Sequence, residues 1–335
     1  MTRESNIELL RIIAMMMILT LHANGALGPL KSYLPGESNL HECFRLLIEG
    51  ACIVSVNAFV MISGWFGIKA SWRGVASLLF QLAFYSLVIS IGYSIISGQV
   101  FPIKETIHSC FGMTYWFIPS YIILYAFSPF LNSFIETAPR RQYAILLIAM
   151  ILVQLVFGRF GDQGHFHGGY SALSFIILYI LAAYLHKYPF KLSSLSPGLD
   201  ILIYLFIIVI LSLVAFFVGG ATLGGSRSVF DYNNPFVIIA SVYFFLSFTK
   251  INVQSKVINW LAVSSFSIYL IHMNFIVKPY YRGLFQCLYE SLNGWSFLVF
   301  PIIIVSIGLF CIFVDKIRVI IWEKLWPLVK SVAHI

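Results

Sequence analysis

Ten stretches of this chain contain no Asp, Glu, Lys or Arg: residues 12–30, 50–68, 74–103, 106–135, 142–158, 163–186, 201–226, 232–249, 257–277 and 291–314. Each approaches or exceeds the roughly 17–25 residues that an α-helix needs to cross the hydrocarbon core of a bilayer. Only 10% of the 335 residues are charged and 60% are hydrophobic, whereas a soluble domain carries about 25% charged residues. A water-soluble enzyme is therefore excluded, and 17% aromatics exclude a disordered chain. The runs are too long for barrel strands and lack their period-two alternation, whereas a helix satisfies its own backbone hydrogen bonds in lipid. The expected fold is all-α: a polytopic bundle of about ten transmembrane helices. No Pro-, Gly- or Ser-rich linker and no repeat divides it, so residues 1–335 read as one membrane domain without a soluble extension.

Net charge is +8, from 21 Lys and Arg against 13 Asp and Glu. In a soluble protein that excess would suggest nucleic acid; here its placement between spans carries the information, and no nucleic-acid partner is expected. Alternate loops hold 14 and 7 of the cations, and cytoplasmic loops retain the larger share. The side bearing Arg11, Lys69, Arg73, Arg140, Lys187, Lys250 and Lys316 is thus assigned to the cytoplasm, together with both termini. Lys31, Arg45, Lys104, Arg159, Arg227, Lys278 and Arg282 fall on the other side. Arg11 interrupts the start of the first apolar run and no small-x-small site follows His22, which argues against a cleaved signal peptide. The five cysteines are scattered without C-x-x-C spacing and read as packing residues, not as a disulfide framework or zinc site.

An ionisable side chain inside a span is costly unless paired or hydrated, and so is a functional candidate. Arg11 and His22 stand 11 residues apart, which returns to within about 20° of one helix face with a rise of roughly 16 Å. One stripe therefore carries a guanidinium near the cytoplasmic end and an imidazole toward the opposite leaflet. Glu8 lies three residues before Arg11 and can pair with it; the plain alternative is that Arg11 snorkels and His22 marks a helix end. Glu49 falls early in the second span, where it can orient His22 or, as the favoured reading, pair with Arg45 four residues earlier. His272 serves equally well as a reaction-chamber group or as a packing hydrogen bond. Ser63 and Gly64 suit close helix approach, with donor contact by Ser63 as the other reading, and Asn57 suits an interhelical hydrogen bond. Tyr115 and Trp116 read as interfacial anchors or chamber walls. The segment from Gly158 to Gly169 combines five glycines with Arg159, Asp162, His165 and His167, a composition suited to an acceptor gate. Its His-x-His pair has no evident third ligand, so no metal is expected.

Several of these residues resemble one family in order along the chain. The first span, with Glu8, Arg11 and His22, resembles the opening helix of the acyltransferase family 3 membrane proteins, whose mark is Arg, ten residues, His. Residues 57–66, ending in Ser63, Gly64, Trp65 and Phe66, resemble the family's FF-x-x-SGF segment, with Lys69 and Arg73 where it places cations. Tyr115 to Pro119, on to Ser128 and Pro129, is similar to its WF segment and Pro-ended helix, and Ser267 to His272 resembles its IYLIH motif. The chain departs in having Glu8 where Asp is common and Lys69 where the family pairs arginines; an ammonium cannot make a guanidinium's bidentate fork.

The resemblance implies transfer of an acyl group, usually acetyl from acetyl-CoA, to a hydroxyl of a cell-envelope polysaccharide or its lipid-linked sugar precursor, in a bacterial inner (plasma) membrane. On that reading Lys69, Arg73 and the deeper Arg11 engage the phosphates of coenzyme A, with Ser63 as a further donor contact. His22 acts as base or as a covalent acyl carrier, assisted by Glu49 and His272. No metal is expected. A transporter or flippase for a lipid-linked sugar is the competing class, but such folds often show related halves with interrupted helices, which this sequence lacks. Oligomeric state is not legible.

Overall fold

The computed structural model describes residues 4–31, 40–160, 166–218, 229–292 and 295–332, with backbone alone at 159, 160, 218, 329 and 332. Among these residues there is no strand, and the α-helices are α1 (Ser5–Ala26), α2 (Leu40–Phe66), α3 (Trp72–Ser97), α4 (Ile103–Cys110), α5 (Phe117–Thr137), α6 (Arg140–Val153), α7 (Ala172–Lys187), α8 (Pro197–Val218), α9 (Pro235–Thr249), α10 (Lys256–Ala262), α11 (Phe266–His272), α12 (Val277–Leu292) and α13 (Ser296–Val332). Every charge-free run overlaps at least one of them.

The expected count of about ten spans is not reached by helix length. Among the described residues seven helical stretches are long and apolar enough to cross a membrane, α6 only with the π-helical turns that continue it to Gly158, and α10–α11 with α12 forms an eighth only as a pair bent by 86°. α7 and α9 have 16 and 15 residues, below the usual crossing length. The reason is local. Lack of charge does not distinguish helix from cap: the run at 163–186 opens through Gly168 and Gly169, both at positive φ, and that at 232–249 opens with the N-cap Asn234 and Pro235 at the first turn. α7 starts at a second cap, where Ser171 accepts from the Ser174 amide. The ninth run is cut after α11, and α12 behind it carries Lys278 and Arg282 on the same face as Tyr281 and Phe285, which it buries.

α2 is the centre of the bundle, packing on α1, α7, α8 and α9, while α1 also meets α10 to α13. Small residues and polar side chains make these approaches. A Cβ on Gly64 would collide with the Tyr179 backbone carbonyl of α7, so Gly64 serves close helix approach. Asn57 donates to Tyr232 O at 3.0 Å and Ser241 Oγ at 3.2 Å, the interhelical bond its mid-span position demands. Tyr204 Oη donates to Ala51 O at 2.7 Å, and Tyr281 Oη to Leu19 O at 2.7 Å. Between α3 and α13, Asp315 is fully buried and accepts from Tyr85 Oη at 2.6 Å and from Arg318 at 2.6 and 3.0 Å.

Loops assigned to one side by their cations touch one another. Arg73 meets Glu323 at 3.1 Å, Lys187 caps α5 through Ile135 O and Glu136 O, and Lys250 pairs with Asp200. Replacing Gly64 by Val is expected to cost about 1–3 kcal/mol or more through overpacking, read as a lower thermal midpoint and loss of monodisperse protein in detergent. Gly92→Ala, where a Cβ meets nothing within 4 Å, is expected to leave both unchanged or slightly improved.

Candidate active site

The first helix carries its imidazole into the bundle. His22 Nδ1 lies 2.7 Å from His272 Nε2, with ring centroids 5.0 Å apart. His272 ends α11, is 1% exposed, and places Nδ1 2.5 Å from Ile268 O, one helical turn earlier. A carbonyl only accepts, so His272 Nδ1 carries the proton. In the neutral ring Nε2 is then bare and accepts from His22 Nδ1–H. The same logic leaves His22 Nε2 with its lone pair free, and among the described residues it has no hydrogen-bond partner. This is the orienting pattern in which one ring's hydrogen bond fixes which nitrogen of the other is available. Two of the sequence candidates thus meet across 250 residues of chain. The Tyr281 ring packs 5.3 Å from His272, and its hydroxyl bond to Leu19 ties α12 to α1 beside the pair.

Glu49 does not pair with Arg45. Arg45 is buried and turned toward the end of α1, donating from Nη2 to Gly28 O at 2.6 Å and from Nη1 to Glu42 Oε1 at 2.9 Å. The carbonyls left open after a helix's last turn attract a cation, and Glu42, three residues before Arg45, completes its coordination. Glu49 instead accepts from Asn24 Nδ2 at 2.7 Å, and Asn24 also donates to Arg45 O at 3.1 Å. Asn24, two residues beyond His22, was not legible as a site residue; its place inside a charge-free run was the available signal.

His22 and Glu49 border one cavity of about 360 Å³, walled by Trp116, Tyr170 and Tyr232 and overhung by Tyr281, Lys278 and Arg282 of α12. The Trp116 and Tyr232 rings stack at 5.7 Å, and Tyr170 stands 4.4 Å from Trp116 and 4.8 Å from Tyr232. Trp116 is therefore a chamber wall, whereas Tyr115 is a buried strut whose hydroxyl donates to Leu270 O at 3.0 Å. On its other side His22 borders a constriction of about 10 Å³ among Met15, Ile18, Phe59, Phe117 and Tyr269. The imidazole sits between an open chamber and a closed apolar neck. Of the glycine-rich segment, residues 158–160 and 166–169 are described; Asp162 and His165, with the side chain of Arg159, lie outside the described residues, as does Arg227.

The four candidates for donor binding do not form one cluster. Lys69 lines a separate cleft of about 450 Å³ with Gly64, Trp65, Asn132, Glu136, His186 and Lys187. There the His186 ring stacks on Trp65 at 4.2 Å and 4°, its Nδ1 donating to Trp65 O at 2.7 Å; His186 was missed because it reads as an ordinary residue at a helix end. Arg73 points away, to Glu323 and to the Trp326 ring at 5.6 Å. Ser63 hydrogen-bonds Tyr121 Oη at 3.2 Å. Arg11 lies 4.0 Å from Glu8, the expected partner, and its Nε has no hydrogen-bond partner.

A family model described as an acyltransferase domain, that of acyltransferase family 3, matches residues 4–315. No curated protein and no solved structure matches the chain. The match spans Arg11, His22, Glu49, Ser63, Lys69, Arg73 and His272, and with them every helix that borders the chamber. The chain belongs to acyltransferase family 3, and is a multi-pass membrane acyltransferase.

Proposed function

We propose that the protein moves an acetyl group from acetyl-CoA to a hydroxyl of a cell-envelope polysaccharide or of its lipid-linked sugar precursor. The observation that carries this reading is the His22–His272 hydrogen bond at the floor of the chamber, which leaves His22 Nε2 as a free base. The acceptor hydroxyl gives its proton to Nε2 as its oxygen attacks the thioester carbonyl. The new C–O bond forms, the C–S bond breaks, and the imidazolium returns its proton to the departing thiolate, releasing coenzyme A and the ester. His272 holds the ring in the reactive tautomer, and Glu49, anchored by Asn24, faces the same space as an acceptor for sugar hydroxyls.

The donor and acceptor enter from opposite ends on this account. The Lys69 cleft belongs to the end richer in cations, which the positive-inside rule places in the cytoplasm of a plasma membrane, where acetyl-CoA is found. Its lysine, with Arg11 deeper in the bundle, offers charge-assisted contacts to phosphates. The pantetheine arm reaches His22 through the apolar neck, which opens when donor binds. The chamber and its aromatic walls face the other side. With α7, α9 and the bent α10–α12 segment counted as crossings the bundle has ten spans, and both termini are cytoplasmic.

In proteoliposomes, His22→Ala is expected to lower acetyl transfer by about 10²–10⁴-fold, the usual worth of a positioned base, without changing the elution profile of the protein; retained transfer contradicts the assignment. His272→Ala is expected to lower kcat by roughly 10–100-fold, as removal of an orienting partner does, with KM for acetyl-CoA little changed. His272→Gln, whose carbonyl can accept from His22 Nδ1–H, is expected to recover part of that loss. Equal defects in Ala and Gln variants would reduce His272 to a packing role.

A further inference from the structure

Two cations of the chamber have no task in the reaction above. Lys278 and Arg282 are four residues apart on α12, so they share one helix face, and both line the chamber that holds His22 and Glu49. Among the described residues, neither side chain has a hydrogen bond or a carboxylate within 4 Å, whereas Arg11, Arg45, Arg73 and Arg318 each meet a carboxylate. α12 is held rigidly over the chamber, because Tyr281 Oη donates to Leu19 O at 2.7 Å and Gln286 Nε2 to Ala26 O at 2.8 Å, both carbonyls of α1. The helix that carries the two exposed cations is thus fixed beside the imidazole at the chamber's rim.

We propose that the acceptor is an anion: the sugar presented to His22 carries a phosphate or carboxylate that Lys278 and Arg282 bind, next to the hydroxyl that is acylated. This rests on the acyltransferase reading. Among the described residues the lining holds two cations against the one carboxylate of Glu49, which Asn24 already engages, so the chamber favours a negative group at the α12 rim and a hydroxyl at its floor. A guanidinium and an ammonium at i and i+4 can hold one anion together, the guanidinium through its fork and the ammonium as a point charge. The volume of about 360 Å³ is that of a small-molecule site. A thioester is uncharged, and the phosphates of the donor lie at the far end, so the anion belongs to the acceptor.

The test measures equilibrium binding of three probes to the full chain in phosphatidylcholine nanodiscs: octyl glucoside, octyl glucuronide and octyl glucoside 6-phosphate. The glucuronide and the phosphate are expected to bind about tenfold tighter than the glucoside or better, the scale of a hydrogen bond to a charged group. That advantage should shrink at about 0.5 M salt and fall toward parity in the double variant Lys278→Gln, Arg282→Gln. A preference for one charged probe over the other assigns the anion as carboxylate or phosphate. Equal or undetectable binding of all three by the unaltered protein overturns the proposal, and needs no variant to fold. So does an effect seen only as stabilisation in phosphatidylglycerol nanodiscs, which would give the cations to lipid headgroups. Acetyl-CoA consumption, followed separately, distinguishes failure of the acyltransferase reading from failure of this one.

Discussion

A polar group inside a bilayer has no water to fall back on, so each must find its partner within the protein. That constraint organises this bundle. Asn57 reaches the Tyr232 carbonyl, Arg45 gathers the last carbonyls of α1, Asp315 is enclosed by Tyr85 and Arg318, and tyrosine hydroxyls at 115, 204 and 281 bind backbone carbonyls of neighbouring helices. Each bond fixes one helix against another. Against that background the free Nε2 of His22 matters because His22 borders a cavity. His272 is what fixes that nitrogen as the free one: its own proton is committed to Ile268, so the bond between the rings has one direction.

The sequence disclosed the parts that depend on single helices. Absence of charge located all ten apolar runs, since burying an unpaired charge in lipid is costly, and helical spacing put Arg11 and His22 on one stripe. It did not set helix lengths, because glycine, asparagine and proline also lack charge yet end helices, as at Gly168, Asn234 and Pro235. The amphipathic α12 was read as loop, its Lys278, Arg282 and Glu290 interrupting the apolar text. Pairings between distant segments were not legible: nothing local tells that His272 meets His22. Nor does spacing tell that Arg45 prefers Glu42 and the α1 carbonyls to Glu49, because i,i+3 and i,i+4 partners are equally placed on a helix and the tertiary carbonyls decide.

The arrangement gives each chamber element a separate duty. α1 and α11 set the His22–His272 pair, α2 supplies Glu49, the Trp116–Tyr170–Tyr232 cluster forms an aromatic wall, and α12 brings charge to the rim. On the far side of His22 the apolar neck closes the bundle with Met15, Phe59 and Tyr269.

The central claim is the direction of the bond between the two imidazoles. Nitrogen NMR of the protein labelled with ¹⁵N in its histidines, and assigned with His22→Gln and His272→Gln variants, reads it directly. The account predicts a protonated Nδ1 and an unprotonated Nε2 on His22, with scalar coupling across the hydrogen bond to an unprotonated His272 Nε2. A His22 protonated at Nε2 and bare at Nδ1, or an absence of coupling between the rings, would contradict it.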